Sequence, residues 1–308
     1  MPCKILFSAE NWSTWEAPLR TALDETGVAY DLVSDAAPET VDYVVYAPSS
    51  GLLDFTPFTS LKAVLSLWAG VEKIVGNETL QVPLARMVDP GLTEGMTEWV
   101  TGHVLRHHLG MDAHIRGLKG KWRKDVPPLA RDRKVTILGL GALGADAARA
   151  LKALNFDVAG WSRSPKTLDG IETFTGDDGL AEALRRAEIL VLLLPLTPGT
   201  EDLLNADRLA RLPKGAMIVN PGRGPLIDDT ALLSALDSGQ VGHATLDVFR
   251  VEPLPADHPF WLHPKVTVTP HIASETRPAS ASRVIAENVR RGEAGEPFVH
   301  LVDRSAGY

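Results

Sequence analysis

Short apolar runs and amphipathic stretches alternate along most of the chain. Residues 4–8, 41–47 and 63–68 are brief apolar runs that predict strands, and residues 17–25 carry apolar positions at helical spacing up to Gly27 and predict a helix. Strands separated by helices point to an α/β unit around a parallel sheet. The pattern changes after Asp89-Pro90-Gly91, where a long helix over 93–109 is followed by a polar, Trp-containing stretch over 119–131. That stretch reads as a crossover between domains.

A second α/β series then begins, with strands at 134–140, 157–161, 189–195, 216–220, 244–248 and 266–269 and helices at 145–154 and 179–186. The stretch 279–291 is again helical but has no sheet of its own to cover, so it is predicted to return to the first domain. The expected fold class is α/β: two Rossmann-like or flavodoxin-like domains with parallel sheets and a cleft between them. One domain is discontinuous, over 1–92 and 276–308, and the other spans 93–275.

Composition narrows the function classes. A chain of 308 residues exceeds what one hydrophobic core comfortably supports. With 31 basic and 39 acidic residues the formal charge is −8, the wrong sign for a protein that neutralises nucleic-acid phosphates. Any anionic ligand must therefore meet a locally basic site. The single cysteine, Cys3, permits no internal disulfide, the start reaches charge too early for a secretory leader, and the most apolar run, 189–196, is too short to span a membrane. A cytoplasmic protein with no nucleic-acid or membrane partner is the expectation.

Gly139-Leu-Gly141-Ala142-Leu143-Gly144 follows a predicted strand and opens an Ala-rich helix, the context a dinucleotide fingerprint requires. The helix N-terminus would receive the pyrophosphate, which makes 93–275 the dinucleotide-binding domain and the other the substrate-binding domain. About 20 residues on, a carboxylate should hold the adenosine ribose. It is absent: the strand runs instead into Ser162-Arg163-Ser164-Pro165-Lys166. Two cations and two hydroxyls suit a 2′-phosphate, so NADP(H) is expected ahead of NAD(H).

Three later segments each follow a predicted strand: Asn220-Pro221-Gly222-Arg223-Gly224, Leu246-Asp247-Val-Phe-Arg-Val-Glu252, and Thr269-Pro-His271-Ile-Ala273. In an open α/β sheet that places them at the carboxyl edge, where ligands bind. An Arg, a Glu and a His form the set needed to reduce an anionic 2-oxoacid: a fixed cation, a proton donor, and a carboxylate that keeps the donor protonated. No metal is needed.

With these segments, the fingerprint, Leu194-Pro195-Leu-Thr-Pro-Gly-Thr200, Leu67-Trp68-Ala69-Gly70-Val71 and Arg86-Met-Val-Asp-Pro90, the chain resembles the D-isomer-specific 2-hydroxyacid dehydrogenases, and among them the glyoxylate/hydroxypyruvate reductase A type. The resemblance implies that Arg223 holds the substrate carboxylate and carbonyl, His271 is the acid/base, and Glu252 favours the imidazole's cationic form. It places Asp247 at the nicotinamide, with Leu194, Pro195, Pro221, Gly222 and Ala273 among the cofactor contacts. Tyr46, Trp68 and the Ala69-Gly70 backbone would meet the 2-oxoacid or 2-hydroxyacid from the other domain. It also implies a homodimer built partly around the long helix. Leu52, Leu53 and Phe55 are expected to line a roomier pocket, and His103, His107, His108 and His114 to be interface or surface residues. A cofactor-sensing, corepressor-like binding protein on the same fold is the alternative.

Overall fold

The computed structural model describes every residue except Arg123, which falls in the 119–131 stretch and lies outside the described residues. The chain divides into two compact units, Met1–Leu92 with Glu275–Tyr308, and Thr93–Ser274. In the first, strands β1 (Cys3–Ser8), β2 (Tyr30–Val33), β3 (Tyr43–Tyr46), β4 (Ala63–Ser66) and β5 (Leu84–Ala85) form an all-parallel sheet in the order β2-β1-β3-β4-β5. Helix α1 (Trp12–Asp24) joins β1 to β2; after β5 the chain passes along α2 (Pro90–His108) into the second unit, which also holds α3 (Met111–Ile115).

Both faces of this sheet are covered, which is why every residue of β3 and β4 is buried instead of alternating with exposed ones. On one face Ile5, Phe7, Tyr43, Val45, Leu65, Ala85 and Met87 meet Leu19 and Leu23 of α1 and Ile285 and Val289 of the final helix. On the other, Val44, Tyr46, Val64 and Leu84 meet Phe55, Phe58, Ile74 and Leu80. Helix α1 begins at Trp12, well before the predicted start at 17, and continues through Pro18. Proline removes a helix hydrogen bond; burial of Trp15, Leu19, Ala22 and Leu23 outweighs that loss. β5 has two residues, too few to show a period.

The second unit holds β6 (Lys134–Leu138), α4 (Ala142–Ala153), β7 (Asp157–Trp161), β8 (Glu172–Phe174), α5 (Gly176–Arg186), β9 (Ile189–Leu192), α6 (Ala206–Leu209), β10 (Ala216–Asn220), α7 (Asp229–Ser238), β11 (Val241–Leu246) and β12 (Val266–Val268); α8 (Pro278–Ala294) belongs to the first unit. The seven strands are parallel in the order β12-β11-β10-β9-β6-β7-β8. The chain leaves β6 toward β7 and β8, then returns to β9 on the opposite side of β6. That reversal opens a crevice at the carboxyl ends of β6 and β9. Helix α7 escapes the periodicity reading, although Asp228 caps its start by accepting from the Ala231 N–H at 3.0 Å and Gly239 ends it in a left-handed conformation.

Two of the histidines expected at the surface are core residues. His107 and His108 are buried, and only His114 of the four is exposed. Thr245 and Thr267 are partners across β11 and β12; His107 Nε2 lies 2.9 Å from the Thr245 hydroxyl and His243 Nε2 lies 2.9 Å from that of Thr267. Arg106 also donates to Thr267 and pairs with Asp112. Burial pushes His107 down to about 3 and His243 down to about 4, so both are neutral ring partners within a polar layer beneath the strands that lead to the site. Among the described residues no helix is long and apolar enough to cross a membrane.

Candidate active site

The turn from β6 into α4 is built by close approach. A Cβ at Gly144 would lie 1.8 Å from the carbonyl oxygen of Gly139, so only glycine lets helix and strand meet there. Gly139 itself has φ +105° and would drive a Cβ to 2.4 Å from the Leu193 carbonyl oxygen. Gly141 differs: a Cβ there meets nothing within 4 Å, and Gly141 and Ala142 are exposed with Leu143 half-buried. Open surface therefore faces the N-terminus of α4, whose first N–H groups have no helical acceptor. This arrangement fits a dinucleotide pyrophosphate.

After β7, Ser162 is buried and its hydroxyl donates to the Ser164 carbonyl at 2.7 Å, so it shapes the turn instead of joining the exposed donors as expected. Arg163, Ser164 and Lys166 are exposed. Thr175 donates to the Arg163 carbonyl at 2.9 Å and Thr173 to that of Lys166 at 2.7 Å, which ties the turn to β8 and its exit. Leu194 packs into the core with its ring neighbour Pro195 half-buried, and the Thr200 hydroxyl donates to the Pro195 carbonyl at 2.7 Å.

Arg223, Glu252 and His271 follow the adjacent strands β10, β11 and β12. Asn220, fully buried, accepts from the Gly222 N–H at 3.1 Å and donates to the Arg223 carbonyl at 2.9 Å, folding Pro221 and Gly222 inward. Arg223 is half-buried, and its Nη1 donates to the Gly222 carbonyl at 2.7 Å. A Cβ at Gly224 would come within 2.0 Å of the Phe249 carbonyl carbon, so the Arg223 loop and the loop carrying Glu252 interlock. Glu252 then spans two loops: Oε1 accepts from the Phe249 N–H at 2.9 Å and Oε2 lies 2.7 Å from His271 Nδ1.

Electrostatics follow from that geometry. The hydrogen bond to Glu252 raises the His271 pKa above its ordinary value, against burial and the Arg223 charge. Burial pushes Glu252 up, but the hydrogen bonds from His271 and Phe249, aided by the charges of His271 and Arg223, hold it below its ordinary value. Both shifts describe one ionic pair, with half of the His271 side chain exposed.

Asp247 requires a correction. Expected at the nicotinamide, it is fully buried: Oδ1 accepts from the Thr269 hydroxyl at 2.5 Å and the Ile272 N–H at 2.9 Å, and Oδ2 from the Ala273 N–H at 2.9 Å. Its carbonyl accepts from the His271 N–H at 2.8 Å. His271 stands in a left-handed conformation with φ +54°, uncommon for a residue with a side chain. The carboxylate holds that turn, and Ala273, also buried, is part of the clamp. Asn220, Gly224 and Thr269 are the supports that sequence reasoning missed. Asn before Pro-Gly is a turn signal; the other two act through partners far away in the chain.

At the carboxyl edge of the first unit's sheet, Trp68 is exposed and Ala69 and Gly70 are half-buried. Ser66 accepts from the Trp68 N–H at 3.1 Å, and Lys73 Nζ stands 5.5 Å from the Trp68 ring centroid. Tyr46 is a second correction. Its ring is buried edge-on against Phe55 at 5.9 Å between centroids, because β3 is covered on both faces. Phe55 is equally buried against Phe58, which removes it from any roomier pocket; Leu53 is exposed and Leu52 half-buried.

Comparison with known proteins places the chain in a family. Residues 101–273 match the family described as D-isomer specific 2-hydroxyacid dehydrogenase, NAD binding domain. The glyoxylate/hydroxypyruvate reductase A of Serratia proteamaculans is 39% identical over 98% of this chain and 97% of its own, and that of Yersinia enterocolitica is 38% identical over 96% of each. A D-isomer specific 2-hydroxyacid dehydrogenase from Xanthobacter autotrophicus, solved in complex with NADPH and MES, superposes with a TM-score of 0.92 at 41% identity, covering 100% of this chain and 99% of that one. An NADPH-dependent glyoxylate/hydroxypyruvate reductase from Sinorhizobium meliloti, solved with NADP and sulfate, gives 0.88 at 36% identity, covering 99% and 100%. Sequence, fold and comparison converge: the chain belongs to the D-isomer specific 2-hydroxyacid dehydrogenase family.

Proposed function

We propose that the chain reduces small 2-oxoacids of the glyoxylate and hydroxypyruvate kind to 2-hydroxyacids, with NADPH the favoured hydride source and NADH the lesser one. The observation that carries this is the His271–Glu252 pair at 2.7 Å, with the histidine's pKa raised and Arg223 close enough to affect both partners. The Gly139–Gly144 turn would hold the pyrophosphate of a dinucleotide whose nicotinamide, when bound, would supply a hydride for the carbonyl carbon. Arg223 holds the substrate carboxylate and polarises the carbonyl. With Nδ1 committed to Glu252, His271 presents Nε2 as the proton donor to the forming alkoxide. Glu252 keeps that imidazole charged until transfer, and Asp247 fixes its approach.

The cofactor preference rests on the turn after β7. Arg163 and Lys166 are exposed there and no carboxylate replaces them, while Ser162 keeps the turn in shape. A relative named NADPH-dependent and solved with NADP, and another solved in complex with NADPH, support the same reading. The site is also proposed to work in a cytoplasmic homodimer. Leu109, Met111, Ile115, Val126 and Leu129 leave an exposed apolar run in the second unit, with Trp122 among them at 96% exposure.

His271→Ala is expected to lower kcat for 2-oxoacid reduction by about 10²–10⁴-fold with NADPH binding retained; near-normal turnover contradicts the role. Because the His271 pKa is raised, reduction should persist to higher pH than an unshifted histidine would allow and fade as pH rises through the raised value, while hydroxyacid oxidation gains there. Glu252→Gln should move both profiles toward acid, and unmoved profiles remove Glu252 from the mechanism. For the cofactor, a charge-assisted hydrogen bond of ~1.5–3 kcal/mol corresponds to roughly a ten- to hundredfold preference, so Arg163→Ala should raise KM for NADPH by that factor and leave KM for NADH nearly constant. Wild type preferring NADH rejects the assignment. Light scattering should give twice the mass of one chain, falling to a single chain in Ile115→Glu; a monomeric wild type contradicts the dimer.

A further inference from the structure

Arg86 is the residue of the first unit that the proposed reaction leaves unused. Among the described residues its half-buried guanidinium makes no hydrogen bond or ion pair, although its backbone is held, Arg86 N–H donating to the His300 carbonyl at 3.0 Å and the Met87 N–H to that of Trp68 at 3.0 Å. Alternation fixes where it points. Ala85 and Met87 pack with α1 and α8, whereas Leu84 packs with Val44, Tyr46 and Val64. Arg86 therefore projects on the Leu84 face, beyond the carboxyl end of β5 and beside the Trp68-Ala69-Gly70 segment. Ligands of open α/β sheets bind along that edge.

A guanidinium taken partly out of water without a counterion is disfavoured. Burial alone holds the Arg86 pKa down, with no carboxylate opposing it. The titratable neighbour it does face, His300, has its own pKa depressed by burial and then by the Arg86 charge, so that contact brings no negative charge. Elsewhere on the chain the comparable arginines are matched: Arg106 with Asp112, Arg133 with Glu188, Arg186 with Asp157.

We propose that Arg86 is an anion-recognition residue whose guanidinium binds a carboxylate presented beside Trp68-Ala69-Gly70. This rests on the 2-oxoacid reductase reading for the identity of the ligand, not for the existence of the site. The carboxylate has two sources: the acid group next to the reacting carbonyl, or a second acid group at the far end of a dicarboxylic 2-oxoacid. Planar, bidentate pairing suits arginine in either case.

The test compares wild type with Arg86→Gln and Arg86→Lys. Inorganic sulfate is titrated while Tm is followed; every other cation is common to the three proteins, so differences report this site. Arg86→Gln should need about tenfold or more sulfate for half of the stabilisation, with Arg86→Lys between the two. Superimposable titrations overturn the site, whatever the reductase assay shows; a wild type inactive on all 2-oxoacids with the sulfate difference intact fails the reductase reading alone. With activity present, Arg86→Gln should raise KM roughly ten- to a hundredfold and change kcat little, as loss of uniform binding does. A rise for glyoxylate and a 2-oxodicarboxylate alike identifies the first source, and a rise for the dicarboxylate alone the second; unchanged KM for both overturns the proposal.

Discussion

The buried carboxylate of Asp247 is the constraint on which the rest of the site depends. It has no contact with solvent, yet it accepts three hydrogen bonds, all from the turn that carries His271. A buried carboxylate is tolerable only when its oxygens are satisfied in this way. Satisfying them fixes the turn. His271 is thereby held in a left-handed conformation that a free loop would rarely populate, with Nδ1 turned to Glu252. The direction of the His271 ring is set by a carboxylate with no exposed surface of its own.

Close backbone approach completes the arrangement. Gly224 lets the Arg223 loop meet Phe249, and Phe249 in turn donates to Glu252. The cation, the carboxylate and the imidazole therefore come from three neighbouring strands but behave as one constellation, coupled through glycine contacts and the Asp247 clamp. The same economy governs charge. On a chain of net charge −8, long-range attraction does not gather anions, so the proposed phosphate and carboxylate sites would depend on cations at short range.

Much of the fold could be read from the sequence because the second sheet is marked by buried runs and by glycines at positions only glycine fills. β7 and β10 have the predicted limits, and β6 and β9 the predicted starts. The failures have physical causes. Pro18 looks like a helix start, but the apolar face of α1 carries the helix through it. β3 is apolar on both faces, so its sequence does not say which residues line a site, and Tyr46 was placed in one when it belongs to the core. His107 and His108 read as polar residues on a helix, although the Thr245 hydroxyl receives the first and the Phe156 ring the second inside. For Asp247, no local pattern reveals its burial, since its donors lie on the turn after β12. The Arg, Glu and His were legible through the strands they follow. Their supports were not.

The central claim is that a fixed turn delivers His271 to Glu252 as a cation. NMR titration of the His271 imidazole in wild type and in Asp247→Asn tests it most directly, because the substitution removes the carboxylate that holds the turn, and whose charge also raises the His271 pKa, while Glu252 stays in place. The wild-type pKa is expected above the ordinary histidine value of 6.5 and should fall back toward it in the variant. A wild-type histidine titrating at or below that value, or one whose titration ignores the loss of the Asp247 carboxylate, would contradict it.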